Sequence, residues 1–101
     1  MTHININIAM MNAQKDSSIV VLDVRRADER ATCYIPGSLH LPLDELDAIE
    51  ELVPDLGTTV YVYCESGYRS AQAAGMLQGM GYANAVNIGG INNSRGRTEK
   101  L

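Results

Sequence analysis

The sequence predicts an α/β domain with a mainly parallel sheet. Residues 19–22 and 59–63 form two unbroken apolar or β-branched runs, which are typical of strands covered on both faces. Between and after them lie stretches with helical spacing, of which Ala73, Leu77 and Met80 mark the clearest. Strands that alternate with helices favour parallel pairing through right-handed crossovers.

Length and composition indicate one globular domain. The chain has 101 residues, of which 46% are hydrophobic, so we expect a single core over about residues 4–91 and a polar, frayed tail over 92–101. The net charge of −4 argues against nucleic acid and anionic membranes as partners. The sequence contains no apolar run of about 18 residues and no signal-peptide pattern. We therefore predict a cytoplasmic protein, or a periplasmic one if a signal peptide has been removed.

The termini of the domain are predicted from shorter patterns. Ile4, Ile6 and Ile8 alternate with polar residues, which predicts a short edge strand. Asn7 is a candidate cap for a short helix after it. Near the other end, residues 85–88 are predicted to form the last strand, after which the chain turns away at its Gly-Gly pair.

A further helix is predicted between the two apolar runs. Asp44 is its candidate N-cap, and the helix covers about residues 45–52. Leu46 and Ile49 mark its buried face, and Pro54 stops it.

Cys64 opens the short loop between the second apolar run and the helix that starts at about Ser70. Backbone N–H groups and the helix dipole point into such a loop, and both favour an anion there. We therefore expect Cys64 to be a thiolate at neutral pH and to act as a nucleophile. The alternative is a structural cysteine at the end of a buried strand.

The rest of the loop suits a nucleophile. Gly67 can adopt the positive φ of a tight curl, and Ser70 is a candidate N-cap. Arg69 offers a fixed charge and five donors to an oxyanion. The candidate binding loop comprises Glu65, Ser66, Gly67, Tyr68, Arg69 and Ser70.

Asp23 and Arg25 follow the first apolar run, at the strand end where sites form in open α/β sheets. We interpret them as structural support, an ion pair with a neighbour such as Asp28 or Glu29.

The two cysteines and two histidines have no zinc spacing, so no metal site is predicted. A disulfide between Cys33 and Cys64 is a minor alternative.

Four segments in this order resemble the single-domain rhodaneses, and in particular the small bacterial phage-shock type of thiosulfate sulfurtransferase. They are the Cys64 loop, residues 23–25, residues 35–38 and residues 80–91. The resemblance covers about residues 4–91. It implies a sheet of about five strands, mainly parallel, with helices on both faces.

The resemblance also implies a two-step sulfur transfer. Cys64 attacks the outer sulfur of thiosulfate or a persulfide donor, and the loop from Glu65 to Arg69 wraps the resulting persulfide. The sulfur then passes to cyanide or a thiol, which could belong to another protein. No metal or organic cofactor is implied.

Three positions depart from the family pattern. Cys33 and Tyr34 replace its usual Gly-His, and the ending after Ile91 lacks an aromatic residue that is often present. Glu65 stands where a cationic or neutral residue is more usual. Its charge should oppose a dianion, so we expect a high KM for thiosulfate.

Other functions compete with this interpretation. Rhodanese-like phosphatases and arsenate reductases have a Cys-x5-Arg loop, whereas Cys64 and Arg69 define a shorter Cys-x4-Arg loop. The shorter loop fits one sulfur atom better than a tetrahedral oxyanion. A non-catalytic interaction module and a redox sensor that uses Cys33 and Cys64 are the remaining alternatives.

Overall fold

A parallel sheet forms the centre of the fold in the computed structural model, which describes residues 3–96 and 98–100. Within these residues the sheet has four strands in the order β2-β1-β3-β4, all parallel. The strands are β1 (Val20–Asp23), β2 (Leu39–His40), β3 (Val60–Cys64) and β4 (Ala85–Gly90). The α/β prediction is confirmed, although the sheet has one strand fewer than the resemblance implies.

Helices cover both faces of the sheet, as predicted. The α-helices are α1 (Ile6–Lys15), α2 (Ala27–Thr32), α3 (Ile49–Leu52) and α4 (Tyr68–Gly79), and 3₁₀ turns cover Leu43–Ala48 and Ile91–Asn93. Successive β3 residues enter two different core clusters because side chains of a strand alternate between faces. Val60, Val62 and Cys64 pack with α4 and α3, whereas Tyr61 and Tyr63 pack with α1.

The predicted N-terminal edge strand is wrong, because that part of the chain is the start of α1. Asn5 is the N-cap, and its side chain accepts a hydrogen bond from the Asn7 backbone N–H at 2.8 Å. Ile6 is buried, whereas Ile8 is 57% exposed, so burial follows the helical period. Only a bridge between His3 and Asn87 joins this end to the sheet within the described residues.

The helix predicted over 45–52 is divided in two. A 3₁₀ turn that contains Asp44 comes first, and its backbone is non-helical at Glu45 (φ −116°). Asp44 is therefore not an N-cap, and α3 follows as one α-helical turn. Leu46 and Ile49 are both buried, as predicted, because spacing of three suits either type of helix.

The last helix begins two residues earlier than predicted. Its N-cap is Gly67, with φ 102°, and Ser70 lies inside the first turn. The helix ends in a Schellman motif at Gly81, which has φ 107°. The Gly81 N–H donates to the Gln78 carbonyl at 3.1 Å, and the Tyr82 N–H donates to the Leu77 carbonyl at 2.9 Å.

The Gly-Gly pair continues β4 and does not turn away from it. Gly89 pairs with Tyr63 and Gly90 with Cys64, after a register shift in the ladder.

The C-terminal tail is not frayed at Glu99, whose N–H donates to the Tyr34 carbonyl at 2.8 Å. Two residues of the predicted tail, positions 97 and 101, lie outside the described residues. In the part of the chain that is described, no helix has the length and apolar character to cross a bilayer.

Candidate functional site

Cys64 lies at the carboxyl end of β3, directly before the loop that enters α4, and is 1% exposed. The backbone N–H of Gly67 donates to the Cys64 Sγ atom at 3.0 Å. The Cys64 thiol in turn donates to the Ser70 Oγ atom at 3.3 Å. The loop thus curls around the sulfur, as the sequence predicts, and α4 begins immediately behind it.

Gly90 of β4 and Gly67 of the loop allow the loop to lie this close to the sheet. A Cβ atom at Gly90 would collide with the Glu65 carbonyl and the Ser66 Cα atom. A Cβ atom at Gly67 would lie 3.3 Å from the Gly89 Cα atom. The turn predicted at the Gly-Gly pair is therefore replaced by a close contact between Gly90 and the loop. A Gly-Gly at the end of a predicted strand is itself a signal of close backbone approach.

Asn87 is a second residue that sequence analysis missed. Its Oδ1 atom accepts from the Ser70 hydroxyl at 2.7 Å and from the Gly89 N–H at 2.9 Å. It therefore ties the first turn of α4 to β4 beside the sulfur. An amide inside an otherwise apolar strand was the available signal, since such a group needs partners.

Arg69 does not extend freely over the sulfur, because Glu29 of α2 holds its guanidinium. Both pairs of atoms, Nη1 to Oε1 and Nη2 to Oε2, are 2.7 Å apart. Arg69 is 27% exposed and Glu29 is 15% exposed. The hydrogen bonds from Arg69 lower the pKa of Glu29 to about 2, against a smaller opposing effect of burial. The same bonds raise the pKa of Arg69.

Arg25 is 1% exposed and pairs with Asp23 and Glu65, not with the predicted Asp28 or the Glu29 carboxylate. Its Nε and Nη2 atoms each lie 3.0 Å from an Asp23 oxygen, and Nη1 lies 3.1 Å from Glu65 Oε1. Burial alone lowers the pKa of Arg25, but the hydrogen bonds that it donates to Asp23 and Glu65 outweigh burial and raise that pKa. A prediction from sequence neighbours could not anticipate a partner 40 positions away.

Asp23 is also the partner of Arg30 and Tyr63. The Arg30 Nη1 atom and the Tyr63 hydroxyl each lie 3.1 Å from Asp23 Oδ2. Burial raises the pKa of the Tyr63 hydroxyl, which stays a donor. This buried network connects β1, α2 and β3 beneath the loop, consistent with structural support by Asp23 and Arg25.

The remaining residues of the predicted loop differ in their exposure. Glu65 points to Arg25 and is 43% exposed, whereas the Tyr68 side chain is 79% exposed. Ser66 is also exposed. Cys33 and Cys64 are both free thiols, and they pack against the core clusters on opposite faces of the sheet. Among the described residues, no group of His, Cys, Asp or Glu side chains could hold a metal ion.

Two shallow pockets flank the loop. One, of about 290 Å³, is lined by Arg69 and by residues that follow β1 or lie at the start of the first 3₁₀ turn, namely Val24, Arg26, Pro42, Leu43 and Asp44. The other, of about 250 Å³, is lined by Arg25, Glu29, Thr32, Cys33 and Glu65. Arginine and carboxylate side chains are therefore among the lining residues of both pockets.

The fold and the loop together define an α/β domain that presents one cysteine sulfur at the start of a helix. The family model described as "Rhodanese-like domain" matches residues 8–95. The chain therefore belongs to the rhodanese-like domain family, which confirms the resemblance found in the sequence.

Individual relatives support the assignment. The chain is 38% identical over 71 residues to the thiosulfate sulfurtransferase PspE of Escherichia coli, covering 69% of this chain and 68% of PspE. It is 31% identical over 99 residues to YrkF of Bacillus subtilis, covering 95% of this chain but only 52% of that protein. The chain thus spans about half the length of YrkF. A solved structure titled "rhodanese with anions from E. coli" superposes with a TM-score of 0.78 at 33% identity, covering 82% of this chain and 99% of that chain.

Proposed function

We propose that the protein is a sulfurtransferase that carries sulfane sulfur as a persulfide on Cys64. The observation that carries this proposal is the position of the Cys64 sulfur, which accepts the Gly67 N–H at 3.0 Å at the start of α4. A donor in that position favours an anionic sulfur, as the persulfide of this proposal requires. Its relative PspE carries the name of a thiosulfate sulfurtransferase.

The proposed reaction has two balanced steps. The Cys64 thiolate attacks the outer sulfur of the donor, the donor's S–S bond breaks, and sulfite or a thiolate leaves. The acceptor, which is cyanide, a small thiol or a protein thiol, then attacks the outer sulfur and releases the Cys64 thiolate. Gly67 and the first turn of α4 stabilise the anionic sulfur in both steps. Neither step uses a cofactor.

Two competing functions fit the site less well. A phosphatase or arsenate reductase needs a cradle for a tetrahedral oxyanion, whereas the loop here holds the sulfur closely and its arginine pairs with Glu29. A redox sensor based on a Cys33–Cys64 disulfide would have to join two thiols that pack on opposite faces of the sheet.

Intact mass spectrometry tests the proposal. After incubation with thiosulfate and removal of small molecules, the protein should gain the mass of one sulfur atom, and cyanide should remove it. The Cys64→Ser variant should neither gain sulfur nor turn over, whereas Cys33→Ser, the matched control, should do both. Sulfur transfer by Cys64→Ser, or loading on Cys33, would overturn the assignment.

A further inference from the structure

Two arginines beside the loop, Arg69 and Arg25, already have carboxylate partners. Arg69 is held by Glu29 through two contacts of 2.7 Å, and Arg25 by Asp23 and Glu65. These are partly or fully buried pairs, in which screening by solvent is weaker than at the open surface.

Arg26, which lines the same pocket as Arg69, follows the same pattern. Its Nε atom lies 3.0 Å from Asp28 Oδ1, although both of these side chains are largely exposed. The arginines that line the two pockets beside the loop are therefore offset by carboxylates.

These pairings change the role expected of Glu65. From the sequence, the charge of its carboxylate is expected to oppose a dianion. In the structure that carboxylate lies on Arg25, 3.1 Å from Nη1, so its charge is offset. The carboxylate that competes with a substrate for Arg69 is Glu29, whose oxygens occupy both outer nitrogens of the guanidinium.

Building on the proposed sulfurtransferase function, we propose that Glu29 sets the donor preference of the site. It occupies the Arg69 guanidinium, so the loop offers little net positive charge to an arriving anion. A dianionic donor such as thiosulfate must displace Glu29 or bind to an offset cation. A monoanionic or neutral sulfane-sulfur donor, such as the persulfide of a small thiol, loses less by the same pairing. The site therefore favours donors of low charge.

The chemistry of loading is the same for both donor classes. With a persulfide, the Cys64 thiolate bonds to the outer sulfur, the S–S bond of the donor breaks, and the electron pair leaves with the donor's thiolate. With thiosulfate the leaving group is sulfite. No oxidant or reductant is needed. Glu29 acts through Arg69 and is a positioning residue, so its effect should fall mainly on KM and much less on kcat.

The test compares thiosulfate with the methanethiosulfonate ion, in which a methyl group replaces one charged oxygen. The two donors share the sulfane sulfur but differ by one unit of charge. Wild-type protein should have a higher KM for thiosulfate than for methanethiosulfonate. Glu29→Gln keeps an oxygen that can accept from the Arg26 N–H, the capping bond that Glu29 now accepts at 2.9 Å. It should lower the ratio of the two KM values by about three- to tenfold, because one charge near Arg69 is removed.

Glu51→Gln is the matched control, since it removes the same charge from an exposed position on α3. It should leave the KM ratio at the wild-type value. An unchanged ratio in folded Glu29→Gln, or an equal change in Glu51→Gln, would overturn the proposal. Circular dichroism establishes whether each variant is folded.

Wild-type protein provides a second test that needs no variant. If carboxylates offset the arginines beside the loop, salt can screen only the repulsion between thiosulfate and the negative groups of the site. The KM for thiosulfate should then stay level or fall as ionic strength rises. A KM that rises with salt would indicate an available cation and contradict the proposal. Mass spectrometric loading of Cys64 by methanethiosulfonate reports on the sulfurtransferase function separately. Failure of both donors to load Cys64 would refute the function itself, whereas loading without the expected charge dependence would refute only the role of Glu29.

Discussion

The Ser70 hydroxyl donates to Asn87 Oδ1 across 2.7 Å, and the Ser70 Oγ atom lies 3.3 Å from the Cys64 sulfur. A hydroxyl carries a single proton, so while that proton points to Asn87 the oxygen can only accept from the thiol. When the sulfur is anionic, the proton can turn towards it, because Asn87 Oδ1 keeps the Gly89 N–H as a donor at 2.9 Å. The pair therefore adapts to either protonation state of the sulfur.

Ser70→Ala should slow the reaction of Cys64 with iodoacetamide and the first step of sulfur transfer by roughly three- to thirtyfold. The reason is the loss of one hydrogen-bond donor to an anionic sulfur, an effect at or below the usual range for a single oxyanion donor. Stopped-flow alkylation at constant pH measures it. Ser17→Ala, in an exposed turn before β1, is the control and should react at the wild-type rate. Equal rates for Ser70→Ala and wild type would remove Ser70 from the mechanism.

Gly90→Ala should be severely destabilising, by about 3 kcal/mol or more, because its methyl group would collide with backbone atoms of the loop rather than with a side chain that can move. Chemical denaturation measures the change in the free energy of unfolding. Gly75→Ala provides the opposite case, since a methyl group there meets no atom within 4 Å on an exposed part of α4. We expect Gly75→Ala to stabilise the protein by about 0.5–1 kcal/mol. A mild effect at Gly90 would mean that the loop can move away from β4.

Arg25→Met should lower the free energy of unfolding by about 3 kcal/mol. The substitution leaves Asp23 buried with one fewer cation, although Arg30 still contacts it at 3.1 Å. Arg26→Met is the neighbouring control, because the Arg26 side chain is 67% exposed. This substitution should change the free energy of unfolding by no more than about 1 kcal/mol. Thermal and urea unfolding of the two variants give the comparison. Similar losses for both variants would contradict the importance of the buried network.

The Glu29–Arg69 pair should make stability depend on acidity. The pKa of Glu29 is about 2 in the folded protein, below its ordinary value of 4.5, so its ionised form is favoured by folding. Its contribution is complete above about pH 5 and is lost as pH falls through the interval from 4.5 to 2.

Glu29→Gln lacks this contribution, which is on the order of 1 kcal/mol for a partly exposed bidentate pair. Urea unfolding should therefore show wild type to be more stable than Glu29→Gln at pH 7, with the difference shrinking at about pH 3. A difference that stays constant between the two pH values would show that the carboxylate is not stabilised in the folded state.

The main elements could be predicted because their signals are local. Residues 19–22 and 59–63 form unbroken apolar runs, and the loop and helix after Cys64 follow from adjacent residues. The error over Ile4, Ile6 and Ile8 arose because alternation in a short segment fits a strand and a helix equally well. Burial of Ile6 under α1 decided between them.

The site could be predicted only in part, because its chemistry depends on contacts between distant segments. Glu29 and Arg69 are 40 positions apart, and their pairing requires α2 to lie beside the loop. Asn87 reaches Ser70 only because β4 lies next to β3 in the sheet. Patterns along the chain identify the residue types, but the sheet order determines which of them meet.

The placement of Cys33 and Cys64 on opposite faces of the sheet bears on how long a stored sulfur atom would survive. A persulfide decays quickly when a thiol of the same molecule can attack its inner sulfur, expel hydrosulfide and leave a disulfide. Here the two thiols belong to core clusters on opposite faces of the sheet, so an internal attack would require Cys33 to reach the sulfur past the pocket that it lines with Glu65. If Cys64 carries a persulfide as proposed, that sulfur atom should persist longer than one beside a second thiol on the same face, and the protein would act as a reservoir as well as a catalyst.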